Sequence, residues 1–151
     1  MRVVLVSGYF NPLHTGHLDY IEGAKSLGEL LVVIVNNDEQ VKVKGATEFI
    51  KQADRLRIVG AIKHVDSAII SIDSDSTICE TIKELWSKYS TDPFFEGMIF
   101  CNGGDRKEGN TPETSICKEL GIRCVYNVGG EKTESSSSLL NKIKTSKIRG
   151  L

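Results

Sequence analysis

The chain has 151 residues, 40% apolar and 26% charged, and its 19 basic and 20 acidic side chains give a formal net charge of -1. That length suits one domain with a sizeable core, and the composition is ordinary for a water-soluble fold. The charge balance argues against nonspecific nucleic-acid binding, and no apolar run has the length of a membrane span. A local cationic pocket for a polyanion is still compatible with this balance.

The first eight residues lack a cleavage region and read as a strand rather than a signal peptide. Residues 3–6 (Val-Val-Leu-Val) form a continuous apolar run, the pattern of an interior parallel strand. Residues 8–16 read as a loop, followed by a helix over 17–27, with Leu18, Ile21 and Ala24 at helical spacing and Gly28 as its stop. The next strand is predicted at 30–35, ended by Asn36-Asn37-Asp38, and residues 39–51 read as a loop with a short helix. A helix over 54–62, a strand over 67–72 and a helix over 77–89 follow, the last capped from within residues 73–76. The remaining expectations are a strand at 98–101, a helix at 111–120 ended by Gly121, a strand at 122–127 and a final helix at 135–145. A domain over 1–145 and a short tail over 146–151 result. Alternation of this kind predicts an α/β, Rossmann-like three-layer sandwich on a five-stranded parallel sheet. Three loops that follow strand ends, 8–17, 36–44 and 102–106, should then meet at the sheet's carboxyl edge.

Cys79, Cys101, Cys117 and Cys124 form no CxxC pair and have no histidine at zinc-finger spacing. They read as buried free thiols. With no export signal, they point to the cytoplasm.

The segment Gly8-Tyr9-Phe10-Asn11-Pro12-Leu13-His14-Thr15-Gly16-His17 carries two of the three histidines. At a loop-to-helix transition, both rings lie on one side. Backbone N–H groups at the helix start bind phosphate oxygens, and Gly16 leaves room for a ligand. Such a cluster suits attack at phosphorus, where oriented donors stabilise the charge that develops on nonbridging oxygens. The structural alternative is that His14 caps a turn and His17 packs at the helix start. His64 has no motif around it.

This loop resembles the signature of the cytidylyltransferase-like nucleotidyltransferase superfamily: a glycine, any residue, a phenylalanine, an aspartate or asparagine, then histidine-any-glycine-histidine. The resemblance extends over nearly the whole chain. It implies phosphate contacts for His14 and His17, and a nucleotide pocket shaped by Gly8, Tyr9, Phe10, Asn11 and Gly16. Asn11 stands where many cytidylyltransferases carry an aspartate, so the resemblance implies Mg²⁺ held mainly through the triphosphate rather than by protein ligands.

Other segments follow the family's order. Its lysine-glycine loop matches Lys44-Gly45, with Lys44 the first choice for the β or γ phosphate and Lys42 the second. Asp38 would orient substrate or loop, or simply form an Asx turn. The family's glutamate-any-arginine helix places its arginine at Arg55, with Ala53 in the glutamate position. Arg55 would clamp a phosphate, and Arg57 is the alternative. In Asn102-Gly103-Gly104-Asp105-Arg106, Gly104 allows close backbone approach, Asp105 would bind a hydroxyl and Arg106 the acceptor phosphate. Lys132 and the serine run, chiefly Ser136 and Ser137, resemble the motif that starts a helix beside the triphosphate.

The implied activity is nucleotidyl transfer: ATP and a phosphorylated small sugar or polyol react by direct in-line attack, with release of pyrophosphate. Features resembling heptose-phosphate adenylyltransferases favour ATP, and others resembling glycerol-3-phosphate cytidylyltransferases keep CTP as the alternative. A noncatalytic nucleotide-binding module is the other class of reading. A homodimer is expected, with no nucleic-acid or membrane partner.

Overall fold

Two interleaved apolar sets explain the sheet. The structure, a computed structural model, describes residues 1–103 and 111–130. The elements run β1 (Arg2–Gly8), α1 (Thr15–Lys25), β2 (Leu30–Val35), α2 (Asp38–Val43), α3 (Gln52–Gly60), β3 (Ser67–Ile70), α4 (Cys79–Tyr89), β4 (Gly97–Cys101), α5 (Pro112–Leu120) and β5 (Arg123–Val125). Val4, Val6, Leu31, Val33 and Val35 face Ile21 and Ala24 of α1 and Val59 of α3. Val3, Leu5, Val32 and Ile34 point the other way, onto Ile82 and Leu85 of α4 and Cys117 of α5. A strand buried on both faces needs the unbroken apolar run that β1 and β2 carry. The result is the expected α/β, Rossmann-like three-layer sandwich.

All strand pairings are parallel, in the order β3-β2-β1-β4-β5. The chain winds outward from β1 through β2 to β3, then returns to lay β4 on the other side of β1. The carboxyl ends of β1 and β4 therefore flank the topological switch point, where open α/β sheets hold ligands. Loop 8–17 leaves β1 there, and Asn36 N–H donates to Gly8 O at 2.9 Å, which joins the ends of β1 and β2.

Several element ends differ from the sequence expectation, each for a local reason. Helix α1 begins at Thr15 rather than at 17 because His14 is its N-cap. Helix α3 begins at Gln52, whose Oε1 accepts from Asp38 N–H at 2.8 Å, so its start is anchored across the crevice from α2. Helix α4 starts at Cys79. Its cap does come from the expected segment: Asp73 reaches forward and accepts from Glu80 N–H at 2.8 Å and Thr81 N–H at 3.1 Å. Strand β5 stops at Val125, short of 127, because Asn127 takes φ 58° and turns the chain. The final helix expected at 135–145 lies outside the described residues.

After that turn, Gly129 presses on α1. Its φ is +83°, and a Cβ there would stand 2.7 Å from the backbone nitrogen of Tyr20. Neither the dihedral nor the space admits a side chain. Gly129→Ala should destabilise the fold by about 2 kcal/mol or more, read as a lowered urea midpoint. An unchanged midpoint would mean that the 126–130 turn is not held against α1.

Candidate active site

The histidine loop is built on steric fit. Phe10 sits at φ 51°, a conformation unfavourable for a bulky side chain, yet its ring is almost fully buried. Burial and an edge-on contact with the His17 ring, centroids 4.8 Å apart, offset that strain. Gly8 makes room: a Cβ there would fall 2.9 Å from Phe10 Cζ. The glycine and phenylalanine of the motif are thus one packing unit beneath His17.

The two histidines cap one another's helix start. Gly16 N–H donates to His14 Nδ1, and His14 N–H donates to His17 Nδ1, both at 3.1 Å. Together these bonds form a capping box made of imidazoles, in the positions that a serine and a glutamate often occupy. The rings stack with centroids 3.8 Å apart and an interplanar angle of 27°. The capping that was the structural alternative is therefore present, and it has a chemical consequence. A neutral imidazole whose Nδ1 accepts carries its proton on Nε2. Both rings are fixed in the tautomer whose Nε2–H is a donor, at a helix start whose Gly16, His17 and Leu18 amides donate to His14.

Asn11 is held within the histidine loop's surroundings by both ends of its amide. Its Nδ2 donates to Thr47 O and its Oδ1 accepts from Ile50 N–H, both at 2.9 Å. The side chain straps residues 47–50 to the histidine loop. An aspartate could only accept, and would face Thr47 O with no proton to give, which accounts for asparagine here. Tyr9 lies under Lys44, whose ammonium stands 4.3 Å from the ring centroid. Lys44 is exposed at the end of α2 and is thereby brought to the histidine loop. Lys42 is also exposed, with its ammonium 3.8 Å from Glu39.

Arg55, expected to clamp a phosphate, turns inward. It is fully buried, and Nε donates to Ile50 O at 2.8 Å, Nη1 to Tyr9 O at 2.7 Å and Asn36 O at 2.6 Å, and Nη2 to Asp38 at 2.7 Å. The guanidinium points inward and joins four segments around the crevice. Asp38, expected to contact substrate, spends one carboxylate oxygen on this pair. Arg57 is exposed on α3. Gly104, Asp105, Arg106, Lys132, Ser136 and Ser137 lie outside the described residues.

Sequence reasoning missed Gln40, which is fully buried and fully bonded. Its Oε1 accepts from Asn36 Nδ2 at 3.0 Å, Asn37 N–H at 3.1 Å and the Ser71 hydroxyl, and its Nε2 donates to Asp75 O and Thr77 O at 2.9 and 2.7 Å. The signal was legible: Asn37-x-x-Gln40 is a capping box, with Asn37 Oδ1 accepting from Gln40 N–H at 2.9 Å.

Burial disfavours the thiolate at Cys79, Cys101 and Cys117. Burial pushes Cys101 up to about 12, and burial, then Cys124 beside it, raises Cys117 further. Cys79 and Cys124 are half-buried rather than buried, and all four are free. Among the described residues, no three histidine, cysteine or carboxylate groups are placed to share a metal ion. No helix among them is long and apolar enough to cross a membrane.

Fold and site together define a Rossmann-like α/β protein whose ligand crevice opens at the switch point beside a pair of oriented histidines. The chain belongs to the cytidylyltransferase-like family, whose model matches residues 5–150. It is 34% identical to the D-beta-D-heptose 1-phosphate adenylyltransferase of Bordetella bronchiseptica over 94% of this chain and 82% of that protein. It is 30% identical to the bifunctional protein HldE of Geotalea uraniireducens over 98% of this chain, which spans only 28% of that longer protein. Its structure is similar to that of the lipopolysaccharide core biosynthesis protein from Thermoplasma volcanium, with a TM-score of 0.67 and 26% identity over 89% of this chain and 99% of the other.

The inward guanidinium makes a clear prediction. Arg55→Ala strands Asp38 and three carbonyls and should lower stability by about 3 kcal/mol or more in urea unfolding. Arg55→Lys should recover little of it, because an ammonium cannot reproduce the planar fork. A phosphate clamp would give the opposite pattern, with unchanged stability and a raised KM for nucleotide.

Proposed function

We propose that this chain, acting as a homodimer, transfers the nucleoside monophosphate of ATP to a phosphorylated small sugar or polyol and releases pyrophosphate. The observation that carries this reading is the cross-capped histidine pair. Its capping bonds set both imidazoles as Nε2–H donors at the start of α1, beside the switch point. In-line phosphoryl chemistry needs no protein nucleophile. An oxygen of the acceptor's phosphate attacks the α-phosphorus and forms the new P–O bond. The bond from the α-phosphorus to its β-bridging oxygen breaks, and the electron pair leaves with pyrophosphate.

His14 and His17 donate from Nε2 to the nonbridging oxygens of the reacting phosphate, where charge grows in the transition state. Their tautomers are fixed before substrate arrives, so little reorganisation accompanies the reaction. Lys44, held over Tyr9, supplies a mobile positive charge for the β and γ phosphates as pyrophosphate departs. The Asn11 amide is engaged by Thr47 and Ile50. In this reading Mg²⁺ arrives on the triphosphate, whose negative charge it offsets. The choice of ATP and of a sugar phosphate rests on likeness to heptose-phosphate adenylyltransferases.

Pyrophosphate release, followed with ATP and CTP in turn across a panel of sugar and polyol phosphates with Mg²⁺, tests the proposal. Turnover should appear with ATP and a sugar phosphate. Faster turnover with CTP would move the assignment to a cytidylyltransferase, and nucleotide binding with no turnover on any acceptor would leave a binding module.

His17→Ala should lower kcat by roughly 100-fold, about 3 kcal/mol of transition-state stabilisation. It should cost only about 1 kcal/mol of stability through the lost cap. Nucleotide affinity should change less than kcat. A folded variant with near-normal kcat would confine His17 to capping.

A further inference from the structure

Asn102 is the first residue past β4, on the bank of the switch-point crevice opposite the histidine loop. Its backbone is fully engaged: N–H donates to Val125 O at 2.7 Å, and its carbonyl accepts from Val128 N–H at 3.0 Å. Its side chain is not. The residue is only 6% exposed, and among the described residues Nδ2 has no hydrogen-bond partner. The other buried amides along this sheet edge, those of Asn11, Asn36 and Gln40, are all bonded internally. Burying an amide donor unmet is unfavourable, and such groups are rare unless a ligand or water completes them.

Position and chemistry narrow what that ligand atom is. Strands β1 and β4 are paired neighbours up to Leu5 opposite Phe100, and Asn102 follows two residues later, beside the end of the strand that launches the histidine loop. With the reacting phosphate at the start of α1, the nucleoside attached to it falls within reach of the β4 bank. A carboxamide is neutral. It adds no charge to draw a phosphate, but its N–H makes a directional bond to a neutral acceptor such as a ring nitrogen or carbonyl of a base. A site built to hydrogen-bond one such atom discriminates against ligands that lack it.

We propose that Asn102 is a specificity-determining residue whose Nδ2–H donates to an acceptor atom of the nucleobase. The inference rests on the nucleotidyl-transfer reading of the crevice. Calorimetric titration of the whole chain with ATP, CTP and inorganic tripolyphosphate, for the unaltered protein, Asn102→Ala and Asn102→Leu, tests it. The leucine keeps the size of the side chain, removes the donor and adds no charge. Both variants should lose about tenfold in affinity for the preferred nucleotide and much less for the other. Tripolyphosphate affinity and melting temperature should stay unchanged. Equal losses for ATP and CTP would place the bond on the ribose, a matching loss for tripolyphosphate would place it on phosphate, and unchanged binding with lowered melting would make the amide structural. Each of these overturns the proposal, as does an unaltered protein with no preference between the nucleotides. If the unaltered protein binds tripolyphosphate but neither nucleotide, the nucleotidyl-transfer reading falls, and this inference with it.

Discussion

One buried guanidinium holds the crevice together. Arg55 ties the histidine loop at Tyr9, the end of β2 at Asn36, the strap at Ile50 and the start of α2 at Asp38. Carbonyls at chain ends and loops must find donors when they are buried, and a planar five-donor group meets several at once. Asp38 is partly exposed, so the pair keeps some solvation and avoids the full desolvation penalty of a sealed ion pair. The helix that carries Arg55 thus acts on the site from behind, through the backbone it fixes.

Around that knot, neutral amides do similar work. Gln40 joins α2 to the segment after β3, while Asn37 Nδ2 donates to Ser71 O at 3.0 Å and Asp73 O at 2.9 Å. Asp73 in turn caps α4. A chain of hydrogen bonds therefore runs from the end of β2 to the opposite layer of the sandwich. Asn11 closes the other side by strapping residues 47–50 to the histidine loop. Because these networks are satisfied, the loops of the carboxyl edge have defined positions although little apolar surface holds them. Asn102 stands out against this background as an amide whose Nδ2 has no hydrogen-bond partner among the described residues.

The histidine pair links local folding to chemistry. The same Nδ1 atoms that satisfy helix-start amides set the tautomer, and thereby turn both Nε2 atoms into donors. Capping and the proposed catalytic role are therefore compatible explanations of the motif. Phe10 and Gly8 add the third dimension, since the strained phenylalanine packs under His17 only where the glycine leaves room. A short sequence block thus encodes a packing unit, a helix start and a donor pair.

By itself, the sequence determined the order of strands and helices, the two-faced burial of β1 and β2, and the position of the histidine loop after β1. These follow from apolar periodicity, glycine placement and one compact motif, all local in the chain. Only the tertiary structure decided where the polar side chains of the crevice point. Arg55 meets Tyr9 across 46 residues and Asn36 across 19, and Asn11 meets Ile50 across 39. A long polar side chain on a helix reads the same in sequence whether it turns toward a ligand or inward. The inward direction is chosen by carbonyls that other segments bury, and those become its neighbours only when β1, β2 and α3 have packed.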